Sequence, residues 1–188
     1  MDAQRIQVKI YATSSPVLDR FISVFHRFIR DKVFDELMID VADYGHVPSG
    51  PGIVLIGHAS DYFADMSDGR FGIVYTRKRD APPPAERLAD AIRRALNAAR
   101  LVEKEPGFDD VRFAPNEILV RLTDRLRAPN DAAGYSSLAA ELTPLAEKLY
   151  GASNASIEKV GAPRDALSVR VSAKNAVSSI AELLARLG

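Results

Sequence analysis

Apolar and polar residues alternate from Arg5 to Tyr11, with Ile6, Val8 and Ile10 on one side and Gln7 and Lys9 on the other. That period of two predicts a half-buried strand. The period then changes. Ser15-Pro16 reads as an N-cap followed by proline at the first helical position. Val17, Leu18, Phe21, Ile22, Phe25, Phe28 and Ile29 follow at helical spacing, opposite Asp19, Ser23, Arg27 and Arg30. The stretch predicts an amphipathic helix with an aromatic inner side. A second strand is expected over Leu37 to Val41. The run Ile53 to Ile56 has the character of a central strand covered on both faces or nearly so.

Asp68-Gly69 is the strongest turn signal, predicting a two-residue type I′ hairpin with positive φ at both positions. It leads into a strand over Phe71 to Arg77, ended by Pro82 to Pro84. Counting outward from that turn sets Tyr62 opposite Tyr75 and Asp61 opposite Thr76. A helix is expected from Ala85 to about Val102, stopped by Pro106-Gly107.

The second half repeats the plan. It offers a strand around Ile118 to Leu122 and a helix from about Tyr135 to Tyr150, with Pro144 kinking or restarting it and Gly151 closing it. Strands follow at Ser156 to Val160 and Leu167 to Val171, then a last helix capped by Asn175. Both halves, 1–105 and 106–188, read strand–helix–strands–helix. The expected fold is α+β: a two-layer sandwich, a mostly antiparallel sheet with helices on one face. The element order would make it a duplicated ferredoxin-like or ACT-like unit packed as one compact body.

Composition narrows the chemistry. The 188 residues carry 25 Lys+Arg against 25 Asp+Glu and no Cys. Zero net charge argues against a non-specific nucleic-acid binder, which needs excess cations to displace counterions. Without cysteine there is no disulfide, thiolate metal site or cysteine nucleophile. No apolar run approaches the roughly 20 residues that span a bilayer, and the N-terminus has no basic n-region. The expectation is a cytoplasmic protein with no membrane or nucleic-acid partner.

Candidate chemistry concentrates between Asp40 and Arg79. Asp43 and His46 follow the second strand; His58, Asp61 and Tyr62 precede the hairpin; Arg77 begins the basic triplet Arg77-Lys78-Arg79. His58, Asp61, Tyr62 and Arg77 could hold a small anionic ligand. The plainer reading is a cross-strand ion pair blunting a sheet edge. His46 or His58 could instead act as general base, assisted by Asp43, Asp61 or Tyr62. No metal-ligand spacing is recognisable, and no cofactor is expected. Gly50-Pro51-Gly52 precedes a strand, where a phosphate loop would precede a helix, so it reads as a tight turn. His26 lies on a helix flank and reads as a packing or solvated residue. The segment Asp124 to Asp131 joins a strand to a helix and offers Asn130 or Asp131 as cap, with Arg125 and Arg127 nearby as a weaker anion site.

The strings Val24-Phe25-His26-Arg27, Asp40-Val41-Ala42-Asp43-Tyr44, Gly50-Pro51-Gly52 and Asp124-Arg125-Leu126 with Ala128-Pro129-Asn130 resemble those of a family of uncharacterised bacterial proteins of similar length. The resemblance covers most of the chain and implies no activity, cofactor or catalytic residue. Gly-x-Ser-x-Gly, the phosphate-loop lysine motif and His-Glu-x-x-His are all missing. Two functions follow as expectations: a small-molecule-binding or self-associating module, such as a homodimer, or a small enzyme built on His46 and His58.

Overall fold

The structure is a computed structural model that describes residues 2–177 and 179–188. Among the described residues, eight strands form one antiparallel sheet: β1 (Ile6–Ala12), β2 (Met38–Tyr44), β3 (Gly52–Gly57), β4 (Ser60–Asp65), β5 (Gly72–Arg77), β6 (Phe113–Leu122), β7 (Ala155–Val160) and β8 (Leu167–Ala173). Their order across the sheet is β2-β3-β4-β5-β1-β6-β8-β7. Four helices, α1 (Arg20–Arg30), α2 (Arg87–Glu103), α3 (Ala132–Tyr150) and α4 (Ile180–Leu187), cover one face. The expected α+β architecture is the observed one.

The period-2 patterns explain which face is covered. Ile6, Val8 and Ile10 of β1 join Ile118, Val120 and Leu122 of β6 in the core beneath the helices. These strands pair with Val8 opposite Val120, Ile6 opposite Leu122 and Ile10 opposite Ile118. The alternate residues, Gln7, Lys9 and Tyr11, therefore stand on the face without helices. Outward from the β1–β6 contact the sheet runs β5, β4 on one side and β8, β7 on the other. The β2–β3 hairpin extends only the first side.

Several local expectations are corrected. Helix α1 begins at Arg20, not after Ser15-Pro16. Thr13 N donates to the Arg112 carbonyl (2.8 Å) and Ser14 Oγ to that of Asp110 (3.0 Å). Those bonds pin the chain after β1 to the loop before β6 and delay the helix. Helix α3 runs unbroken through Pro144. Its cap is Asp131, one of the two residues expected there, whose carboxylate accepts from Gly134 N at 2.7 Å. Helix α4 is capped by Ser179, which accepts from Glu182 N. Asn175 instead donates its own N–H to Asn154 Oδ1, tying this stretch to the start of β7.

The hairpin register is the expected one, with Tyr62 opposite Tyr75 and Asp61 opposite Thr76. Its turn is different. Gly69 N donates to the Met66 carbonyl (2.9 Å), and of Asp68 and Gly69 only the glycine has positive φ (+78°). The chain thus turns over Met66 to Gly69 with a left-handed glycine at the end, not through a type I′ pair. Asp68 keeps negative φ while its carboxylate accepts from Lys9 and Tyr11.

Asp131 satisfies one of the donors a helix start leaves open. Asp131→Ala is therefore expected to lower unfolding free energy by about 1 kcal/mol, read from chemical denaturation, with the fold retained.

Candidate functional site

The six residues singled out in the sequence do not converge. Asp43 lies on exposed backbone, where its carboxylate accepts from Gly45 N, and His46 is exposed in the same turn. His58 is exposed at the other end of β3, with Nε2 3.8 Å from Asp80. The two histidines thus flank a six-residue strand, a separation of about 20 Å. They do not share a pocket, so the acid/base pairing expected of them is not formed. Asp61 pairs with Lys78 (2.7 Å) and caps Gly57 N; it is not paired with Arg77. The reason is the strand period: Asp61 and Tyr62 face opposite sides, and Arg77 points with Tyr62 toward the helices.

Tyr62 and Arg77 do enter one network. Arg77 donates to Asp90 of α2 (2.8 Å), and Asp90 also accepts from Arg94 Nε (3.0 Å). Arg94 reaches Asp35 (2.7 Å) and Glu36 (3.2 Å). Glu36 in turn accepts from Tyr62 Oη (3.0 Å) and Ser60 Oγ (2.5 Å). Burial, reinforced by the Glu36 charge, pushes the Tyr62 phenol far above its ordinary range. Burial opposes the charge of Arg94, but the bonds and charges of Asp35 and Asp90 outweigh it and hold the guanidinium protonated. The basic triplet is therefore dispersed: Arg77 is buried against α2, Lys78 is spent on Asp61 and the Gly57 carbonyl, and Arg79 is exposed. In the second candidate segment, Asp131 caps α3 and Asn130 donates to the Ala162 and Asp165 carbonyls, while Arg127 pairs with Asp124.

The denser chemistry lies on the face without helices. Lys9 is only 4% exposed there. Its ammonium donates to Asp65 (2.6 Å), Asp68 (2.6 Å) and the Arg70 carbonyl (2.8 Å). Gly72 makes this possible, because a Cβ at that position would stand 2.8 Å from Lys9 Cε. Tyr11 Oη donates to Asp68 (3.0 Å), and the Arg70 guanidinium lies 3.8 Å from the Tyr11 ring centre. Arg70 then holds Glu117 with two bonds (3.1 and 3.2 Å), and Glu117 accepts from Arg170 (3.0 Å). Burial first, and the Asp68 charge second, raise the Tyr11 phenol. Burial alone would raise Asp68, but the Lys9 ammonium and the Tyr11 and Arg70 donors bring it below the usual carboxylate value.

Two hollows open on this face, of about 210 and 480 Å³. The smaller is lined by Gln7, Lys9, Phe63 and Asp65, the larger by Tyr11, Leu119, Ser168 and Arg170. Both share Ser67, Asp68 and Arg121. Arg121 donates to Gln7 Oε1 (2.7 Å) and Ser168 Oγ (3.3 Å), both neutral, and among the described residues it forms no ion pair. Every other cation on this face named above has a carboxylate partner. Sequence reasoning passed over Lys9, Tyr11 and Arg121. Their only signal was their position as the polar half of strands whose apolar half forms the core. Among the described residues no group of three or more His, Asp or Glu could hold a metal, and no helix is long and apolar enough to cross a membrane.

Removing Lys9 strands two carboxylates in a half-dry environment, whereas a partnered pair is tolerated. Lys9→Met is expected to cost about 3–5 kcal/mol at pH 7 by denaturant titration. Asp68 behaves as a group of depressed pKa, so its contribution is complete above its unfolded value of 3.8 and fades as pH falls through the lower folded value. Stability of Asp68→Asn should therefore fall short of the parent at pH 7, the gap narrowing only below pH 4. Comparison of the chain with known protein families, curated proteins and solved structures found no match.

Proposed function

We propose that the protein is a small-molecule-binding module whose site is the groove on the helix-free face, and that its ligand carries a carboxylate or phosphate received by Arg121. The observation that carries this reading is the half-buried Arg121 guanidinium, which lines both hollows and, among the described residues, forms no ion pair. A guanidinium presents a planar fork of donors that suits either anion. Its neighbours are already fixed: Gln7 and Ser168 orient it, and the Lys9–Asp65–Asp68–Tyr11 network forms a rigid rim. A preset site of this kind loses little entropy on binding. The general-base alternative draws no support from the positions of His46 and His58.

A separate observation favours self-association. Leu37, Ile39, Tyr44 and Val47 are exposed at 67, 57, 44 and 39%, and all lie on or beside β2, an edge of the sheet. An apolar edge strand invites pairing with another strand. We read the occupant as a second copy, β2 against β2 about a two-fold through Val41. That register sets Asp40 opposite Ala42, so no two carboxylates face each other. We also read the matching order of β1, β5, β4 and β6, β8, β7 as duplication of a ferredoxin-like unit, each half supplying the strand beside the other's first.

The binding reading is tested by titrating inorganic phosphate and succinate while following thermal unfolding. Both salts can stabilise non-specifically, so the comparison is with Arg121→Gln. Saturable stabilisation that weakens about tenfold or more in the variant is expected, the loss of one charge-assisted bond. No saturable effect, or an unchanged one in Arg121→Gln, would refute the site. For self-association, light scattering should show a dimer that Ile39→Lys converts to monomer without loss of secondary structure; a monomer throughout disposes of that reading.

A further inference from the structure

On the helix side another cavity, of about 390 Å³, opens between α2, the connection from α1 to β2, and α4. Its volume lies within the range of small-ligand sites. Phe34 and Tyr62 supply an aromatic wall, their rings stacked at 4.3 Å and 18°. Val33 and Leu184 add apolar surface. Along α2 the cavity is met by Asp90, Arg93, Arg94 and Asn97, which share one helical face at spacings of three and four.

What these polar groups have left to offer decides the ligand. The side-chain carboxylates are committed: Asp90 to Arg77 and Arg94, Asp35 to Arg94, Glu36 to Arg94, Tyr62 and Ser60. The uncommitted groups are donors. Arg93 forms no ion pair among the described residues, and its Nε is buried without an acceptor. Asn97 accepts from Arg100 through Oδ1 (2.8 Å), which leaves its amide N–H groups for another partner. A buried donor without an acceptor is costly, and a ligand oxygen placed there would remove the cost.

We propose that this cavity binds a small aromatic carboxylate, its ring against Phe34 and Tyr62 and its carboxylate on Arg93 and Asn97. The site is separate from the groove around Arg121, being on the opposite face of the sheet, and neither reading depends on the other. Ring-on-ring contact supplies apolar burial with an orientation preference, and the guanidinium supplies a charge-assisted bond.

The test uses benzoate as probe and amide chemical shifts of the whole chain as readout, with cyclohexanecarboxylate as the non-aromatic control. Saturable shifts confined to α2 and the residues around Phe34 are expected. Arg93→Gln should weaken benzoate about tenfold or more, Asn97→Ala less, and Arg121→Gln not at all. Arg93 forms no ion pair among the described residues, so its variant should melt as the parent does. Benzoate without saturable shifts, or with shifts lost in Arg121→Gln and kept in Arg93→Gln, would overturn the proposal. Equal affinity for cyclohexanecarboxylate would overturn the role of the aromatic wall.

Discussion

A sheet eight strands wide with all four helices on one side has a second face that it must finish with its own side chains. Everything distinctive in this molecule follows from that asymmetry. The helix side takes Ile, Val, Leu and Phe into one continuous core. The other side has a few buried apolar residues, Val54, Val74 and Leu119, outside that core. Around them it is closed by charge: Lys9 against Asp65 and Asp68, Arg70 against Glu117, Glu117 against Arg170. Ion pairs on fully exposed surfaces contribute little. Here they are partly dry, so their geometry is enforced by the cost of leaving any member alone.

That cost makes the exceptions informative. The network around Lys9 and Glu117 balances its own charges, whereas Arg121 beside it forms no ion pair among the described residues, and there an outside anion would complete it. The helix side shows the same logic in reverse. There Arg77 and Arg94 take up Asp90, Asp35 and Glu36, and the remaining donors of Arg93 and Asn97 stand beside an aromatic wall. Both places are defined by what the neighbours have already used. Neither could be found by scanning for a motif.

The strands and helices were largely legible because their apolar residues repeat at 2.0 or 3.6, and burial obeys the same periods. The hairpin register was legible too: Asp68-Gly69 fixed the count, even though Asp68 did not adopt the left-handed geometry its pairing with glycine suggested. What failed was inference from closeness along the chain. His46 and His58 are twelve residues apart and lie at opposite ends of a strand. Lys9 and Asp65 are 56 residues apart and touch. Gln7 and Arg121 bond across 114 residues, a contact set by the β1–β6 pairing, which local pattern does not reveal. Starts of helices were missed for a related reason: Thr13 and Ser14 were held by the distant 110–112 segment, and that bond displaced the start of α1.

The pairing of β1 with β6 also bears on the order in which the molecule can form. β1 lies at the centre of the sheet, between β5 and β6, and both neighbours come from far along the chain. Closing such long loops delays contacts that reward the chain only once made, so high contact order implies slow folding. During synthesis, β2 to β5 can join as successive hairpins and receive β1 on one side. The other edge of β1 must wait for β6. Until then its unpaired N–H and C=O groups, with Ile6, Val8 and Ile10 beside them, form an interior strand in the guise of an edge. The interval between emergence of β5 and of β6 is thus the period of greatest exposure to mispairing, and the stretch from 78 to 112 sets its length.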